Sequence, residues 1–228
     1  MSAQDLNCSF CEVRDKCVFS VLSDDEKQKL NEDKIQKTCK KEHYIYHEGF
    51  GAADYVIIRN GFVKLTKQNG VDTECIVDFK KSGDLMGMES LGDKNKYETS
   101  AVALTDTSIC IIQKSLALDF FMSNHKVCNY MVNSFIVSVS SFLNRILHIT
   151  NGTGRAKLAR TLLLVSQYLP DGKKKEIKIK REELAALSGI SRETVSRLLA
   201  SFKTRKVIDI KVNVIRILDS KKLEQLSK

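Results

Sequence analysis

Between residues 40 and 112 the apolar positions fall in short β-branched and aromatic runs. They are Tyr44-Ile-Tyr46, Tyr55-Val-Ile-Ile58, Phe62-Val-Lys-Leu65, Cys75-Ile-Val77 and Ser108-Ile-Cys-Ile-Ile112, punctuated by Gly49, Gly51, Gly61, Gly70, Gly83 and Gly92. Short runs at close spacing with turn glycines between them predict an antiparallel sandwich or barrel. From Lys126 to Thr150 the period changes. Cys128, Val132, Phe135, Val139, Phe142, Ile146 and Ile149 recur in steps of four and three, the a/d seam of a helix about three heptads long. A second stripe runs through Met131, Ile136, Leu143 and Leu147. The expectation is that this stripe packs on the chain's own sandwich and the a/d seam meets a second copy. Asn151-Gly-Thr-Gly154 then breaks the helix and is the natural hinge, and Pro170-Asp171-Gly172 marks a further turn.

After that turn, Leu184, Ala185 and Leu187 lie on a short helix that ends at Ser188-Gly189-Ile190, and Ser191 is a suitable N-cap for another. Two helices joined by a glycine-containing turn predict a helix-turn-helix. Val195, Leu198, Leu199 and Phe202 share the apolar face of the second helix. Arg192, Glu193, Ser196 and Arg197 share the opposite face near its start, with Thr194 between them. Arg can donate twice to guanine and Glu can accept from the cytosine amino group. Lys203, Arg205 and Lys206 lie further along, better placed for phosphates. Val207–Ile210 and Val214–Leu218 around Lys211-Val-Asn213 predict a β-hairpin wing.

Charge follows the same division. Residues 151–228 hold 19 of the 37 Lys and Arg but only 8 of the 28 Asp and Glu, a net of +11, against −2 for the rest of the chain. A polyanion partner for the last third alone is implied. The 228 residues, 43% hydrophobic and 29% charged, exclude a disordered or collagen-like chain. No apolar run approaches the ~18 residues of a membrane span, and Met1–Cys8 lacks the basic and apolar regions of a secretion signal. A cytoplasmic location with no membrane partner is expected. In that reducing setting the seven cysteines read as thiols or metal ligands.

The run Ser191-Arg-Glu-Thr-Val-Ser-Arg197 resembles the recognition helix of the CRP/FNR family of bacterial transcription regulators. Gly49, Gly61-Phe-Val, Gly83-Asp-Leu and Gly87-Met-Glu-Ser-Leu91 resemble that family's cupin-like β-roll. The resemblance covers nearly the whole chain. It implies an α+β protein with an N-terminal cupin-like (cyclic-nucleotide-binding-type) β-roll, a long dimerisation helix and a C-terminal winged helix-turn-helix. The segments are 1–22 (Cys-rich), 23–122 (sensor β-roll), 123–150 (dimerisation helix) and 151–228 (DNA-binding domain). It implies a homodimer on a palindromic double-stranded DNA site, with RNA polymerase as a further partner; a surface loop such as Asp93-Lys-Asn-Lys96 is a candidate for that contact, though such loops are more often solvated turns. Two departures stand out. Val212 takes a wing position where glycine is common. The recognition face also mixes features of two branches, leaving the half-site open between TGTGA-like and TTGA-like.

Relatives that bind cyclic AMP carry an Arg before Ser or Thr to hold the cyclic phosphate. Here Lys96-Tyr-Glu-Thr-Ser100 puts Glu98 near that place, and Gly83-Asp84 replaces Gly-Glu. No cyclic nucleotide is expected. Cys8, Cys11 and Cys17 instead form C-x2-C-x5-C, with Cys110 on the last strand of the roll. Thiolates suit soft metals and iron–sulfur clusters. The arrangement is similar to that of the FNR-type oxygen sensors, which implies a 4Fe–4S cluster on these four residues. Zinc on the three N-terminal cysteines with His43 or His47 is the competing metal site. Cys39, Cys75 and Cys128 read as small buried apolar residues. The expected function is a redox- or oxygen-responsive regulator, not an enzyme. The alternative is a family member without a cluster, answering to nitric oxide, thiol redox state or a small effector. Two other classes remain open from the sequence: a cupin-type metalloenzyme using His43 and His47, and an architectural DNA-binding protein with little sequence preference.

Overall fold

The computed structural model describes residues 7–70, 74–88, 95–168, 176–211 and 214–228. The expected turn at Pro170-Asp171-Gly172, the wing-tip pair Val212 and Asn213, Gly92, Glu89–Leu91, and Asp93 with Lys94 lie outside the described residues. The chain divides into two compact units, Met1–Ser138 and Val139–Lys228.

The first unit is a roll of two antiparallel four-stranded sheets. Its strands are β1 (Ile35–Cys39), β2 (Tyr44–Tyr46), β3 (Asp54–Asn60), β4 (Phe62–Gln68), β5 (Glu74–Lys81), β6 (Leu85–Met86), β7 (Ser100–Ala103) and β8 (Thr107–Gln113). The sheet orders are β1-β8-β3-β6 and β2-β7-β4-β5. The predicted apolar runs are these strands. Tyr55-Val-Ile-Ile58 is continuously apolar because β3 is covered on both faces. Val56 and Ile58 enter the core that holds Val63 and Ala101 of the other sheet. Tyr55 and Ile57 enter a second core with the helices. In β8 the same alternation sends Ile109 inward and Cys110 with Ile112 to the helical side. At Gly61 the β3–β4 turn has φ +111°, and a Cβ there would meet Thr107 Oγ1 at 2.5 Å, so only glycine fits.

Three helices belong with the roll. α1 (Asp24–Asp33) starts with a capping box between Ser23 and Glu26. α2 (Lys114–Ser123) follows β8 and buries Leu116, Ala117, Phe120 and Phe121. α3 spans His125–Thr150 and buries Val127 and Met131. Phe19, from the segment before α1, stacks on Phe121 and meets Phe120 edge-on, so the Cys-bearing segment is part of this core.

The second unit holds the rest of α3, then α4 (Gly154–Ser166), β9 (Glu176–Ile177), α5 (Arg181–Ser188), α6 (Arg192–Thr204), β10 (Ile208–Lys211), β11 (Val214–Ile217) and α7 (Ser220–Leu226). The break after Thr150 is where the glycines predict it. Thr153 caps α4 through Ala156 N–H, and Gly152 has φ +97°. β10 and β11 form the predicted wing hairpin, pairing Ile208 with Ile217. Added to it are β9, on the far side of β11, and α7, which carry no periodic signal long enough to read in the sequence.

Beyond Met131, the second stripe of α3 departs from expectation. Ile136, Leu143 and Leu147 are as exposed as the a/d seam. Ile136, in the first unit, therefore does not pack on the chain's own roll, and the helix is apolar over a wider arc than a two-stranded seam requires. Cys128 is exposed, and Cys39 and Cys75 are half-buried. None of the three is the fully buried small residue the sequence suggested. Among the described residues no helix is long and apolar enough to cross a membrane.

Candidate thiol site and nucleic-acid interface

The segment before α1 makes short 3₁₀ turns at Cys8–Phe10 and Val18–Val21. Asn7 caps the first turn through Ser9 N–H. The segment is pinned to α1 by Asn31, whose side-chain oxygen accepts from Cys8 N–H at 2.9 Å and whose amide donates to Asn7 at 3.1 Å. It is pinned to α3 by the Tyr130 hydroxyl, which donates to the Lys16 carbonyl. The result brings Cys8, Cys11 and Cys17 to one pocket with Cys110, which reaches it from the middle of β8. Cys110 pairs across the sheet with Gln36 on one side and Ile57 on the other.

The pocket is lined by apolar groups such as Phe19, Leu30, Ile57 and Ile112, and by Lys34 and Arg59. Burial pushes the Cys110 thiol up to about 12, against the pull of Lys34 and Arg59. Burial also pushes Cys17 up to about 11, opposed by hydrogen bonding from the Phe19 backbone and reinforced by Cys8 and Cys11. These two sulfurs stay protonated at neutral pH until something displaces the proton. Among the described residues, no group of three or more His, Cys, Asp or Glu side chains is arranged as it stands to hold a metal ion. In donor type and number the four thiols around one pocket fit a 4Fe–4S cluster or zinc. The histidine rival for zinc finds less support. His43 and His47 flank β2 and are exposed. His47 stacks on Tyr44 at 4.2 Å, and neither histidine lines the thiol pocket.

On the opposite sheet, Glu48 and Glu98 each approach the Lys67 ammonium at 3.3 Å. Asp84 accepts from Lys81 N–H at 2.8 Å and so closes its own turn. Glu98 and Asp84, which stand where the resemblance implies phosphate-holding residues, are thus engaged with the protein itself.

In the second unit, α5 ends at Gly189 with φ +63° and ψ 37°, and its N–H closes on Ala185. A Cβ at Gly189 would lie 2.6 Å from Ile149 Cγ2. Ile149, the last residue of the predicted seam, therefore packs on the helix-turn-helix turn of its own chain. Gly189→Ala is expected to cost about 1–2 kcal/mol from the backbone alone, more with the clash, and to lower the thermal midpoint by several degrees in calorimetry.

Ser191 caps α6, accepting from Thr194 N–H at 3.2 Å. Val195, Leu199 and Phe202 are buried, while Arg192, Glu193, Ser196 and Arg197 are exposed together at the start of the helix. The backbone at Glu193 and the Ser191 hydroxyl hold the Glu193 carboxyl below its ordinary range, so it is an acceptor only. Two features were not legible beforehand. Arg192 Nε pairs with Glu182 Oε1 of α5 at 2.8 Å, a contact between exposed groups worth roughly 0–1 kcal/mol, so a guanine can compete for it. Lys203 donates to the Ile210 carbonyl at 3.1 Å and lies 3.7 Å from Asp209. It braces the wing against α6 as well as presenting charge.

Along α3 the predicted interface residues Val132, Phe135, Val139, Phe142, Ile146 and Ile149 are 37–59% exposed. A contiguous exposed apolar face of this kind marks an association surface.

Residues 36–124 match the family described as the cyclic nucleotide-binding domain, and residues 156–226 match the Crp-like helix-turn-helix domain. Regulatory protein HlyX of Actinobacillus pleuropneumoniae is 25% identical over 217 residues, 93% of this chain and 90% of its own. The fumarate and nitrate reduction regulatory protein of Vibrio cholerae is 22% identical over 228 residues, 97% of this chain and 90% of its own. A solved transcriptional regulator of the crp/fnr family from Eubacterium rectale shares the fold with a TM-score of 0.76 at 21% identity, covering 92% of this chain and 97% of that one. A roll of the cyclic-nucleotide-binding type, a long apolar helix and a winged helix-turn-helix, matched in that order along the chain, make this protein a member of the CRP/FNR family of transcription regulators and not an enzyme.

Proposed function

We propose that this regulator senses oxygen or redox state through a 4Fe–4S cluster held by Cys8, Cys11, Cys17 and Cys110, and that the cluster controls dimerisation and DNA binding. The observation that carries the reading is the shared pocket: three thiols from the N-terminal segment and one from β8 around a single space. When bound, the cluster supplies an air-sensitive inorganic core whose retention needs all four thiolates. The Vibrio relative is named as a regulator of fumarate and nitrate reduction, which supports the same physiology. The carboxylates of Glu48 and Glu98 around Lys67 speak against a cyclic phosphate, which they would repel.

The chain's own residues supply the coupling. Asn31 orders Cys8, and the Tyr130 hydroxyl ties the segment beside Cys17 to α3. Val127 and Met131 of α3 share a core with Val18 and Phe19 of that segment. Order in the segment therefore favours one placement of the start of α3, and the seam beyond it pairs with a second copy. A few kcal/mol of preference between two states suffices to switch occupancy. Two winged helices then meet half-sites about one turn of DNA apart. Arg192, Glu193, Ser196 and Arg197 read bases, Thr194 lies beside them, and Lys203 adds to phosphate attraction. A cytoplasmic location and contact with RNA polymerase follow from this role.

Fluorescence anisotropy with a palindromic duplex tests it. Protein kept without oxygen should bind at least tenfold more tightly than the same protein after air, and equal binding would sink the oxygen switch. Arg197→Ala should cost about 1–3 kcal/mol, a loss of roughly ten- to a hundredfold confined to the cognate duplex.

A second reading has the same DNA module answer to thiol redox state, nitric oxide or a small effector. It is favoured by the half-buried thiols of Cys8 and Cys11, with Lys34 Nζ 2.9 Å from Cys8 Sγ.

A further inference from the structure

Lys34, the residue that ends α1, places its ammonium 2.9 Å from Cys8 Sγ and 2.6 Å from Asn31 Oδ1. Arg59 of β3 is hydrogen-bonded to Cys11, and its Nη1 donates to Gln36 Oε1 at 2.7 Å. Asn31 and Gln36 thus hold the two cations in place. Arg14 and Lys27 also line the pocket. Of these four cations, Lys34 and Arg59 are hydrogen-bonded to cysteines of the pocket, Cys8 and Cys11 respectively. Neither cation belongs to the cysteine motif, and no spacing rule foretells them.

Four thiols that bind a core of charge +2 release four protons and leave a site of charge −2. The lining is largely apolar, including Phe19, Leu30, Ile57 and Ile112, and an uncompensated double charge there is costly. Two fixed cations cancel it, and hydrogen bonds to the sulfurs tune what the site holds.

We propose that Lys34 and Arg59 are positioning residues of the thiol site: counter-ions that neutralise the tetrathiolate and hydrogen-bond Cys8 and Cys11. This rests on the four-cysteine reading above. A single Co²⁺ ion gives the same −2 charge on four thiolates and reports through absorption, so it probes the site without any cluster.

The experiment titrates Co²⁺ anaerobically into the full-length, fully reduced protein and follows the thiolate-to-cobalt charge-transfer and d–d bands. The same titration is run on Lys34→Met, Arg59→Met, the double variant and Lys34→Arg. Circular dichroism and the thermal midpoint of each metal-free variant check folding. Each Met variant should bind Co²⁺ about 10–100-fold more weakly. Its charge-transfer band should move to lower energy, since a thiolate that loses a hydrogen bond gives up electrons more readily. The double variant should be weaker than either, and Lys34→Arg should recover most of the affinity. A residue that only supports the fold would lower the thermal midpoint without moving the band. Folded Met variants with the parent's affinity and band position overturn the proposal, as does weaker binding with an unmoved band. A parent protein that gives no tetrathiolate spectrum overturns the four-cysteine reading itself, and the counter-ion role with it.

Discussion

Cys110→Ser should lower the iron of anaerobically prepared protein from about four per chain to near zero and remove any effect of air on DNA binding. Cys110 enters the pocket from the centre of a sheet, between β1 and β3, where the backbone has no freedom to bring another donor. Serine keeps the size but offers a hydroxyl that is a poor ligand for iron. The fold should survive, because a single buried hydroxyl costs about 1–3 kcal/mol. Cys75→Ser and Cys128→Ser are the controls, since both residues lie outside the pocket and should keep full iron. Iron retained by Cys110→Ser, measured with circular dichroism to show that the protein is folded, would remove Cys110 from the ligand set.

Phe142→Glu combined with Ile146→Glu should convert the protein to a monomer by analytical ultracentrifugation and weaken binding to a palindromic duplex by more than about a hundredfold. Both positions are exposed on the single chain, at 46% and 56%, so their replacement should move the stability of the folded chain by only about ±0.5 kcal/mol. In a seam each buried side chain contributes roughly 1.5–3 kcal/mol, and two carboxylates one helical turn apart repel each other and lose hydration. The exposed second stripe of Ile136, Leu143 and Leu147 makes the same point from another side, because a second copy of α3 can cover more than the a/d line. A double variant that remains a dimer and binds DNA normally would place the interface elsewhere.

The sequence makes some parts of this molecule legible and hides others for physical reasons. Strands β3 and β8 are legible because burial on both faces forces continuous apolar runs. The helix-turn-helix is legible because Gly189 must take a positive φ and Ser191 must cap α6, both local requirements. The role of α3 is half legible. Its a/d period marks an apolar seam, but periodicity cannot say which of two stripes a roll covers, and only Met131 of the second stripe is buried. The pocket is not legible from local pattern at all. Cys110 meets Cys8, Cys11 and Cys17 through the register of β8 and the path of the N-terminal segment. Family likeness supplies that meeting, and spacing does not. Lys34 and Arg59 read as ordinary basic residues until α1 and β3 bring them to the sulfurs. The Arg192–Glu182 pair is hidden in the same way, because it depends on the crossing of α5 and α6.

The most direct test of the central claim is iron and acid-labile sulfide content, with a visible spectrum, on wild-type protein purified without oxygen and then exposed to air. The account predicts about four irons and four sulfides per chain, and a broad visible absorption that bleaches in air together with loss of DNA binding. Zinc or no metal, with DNA binding indifferent to air, would contradict it.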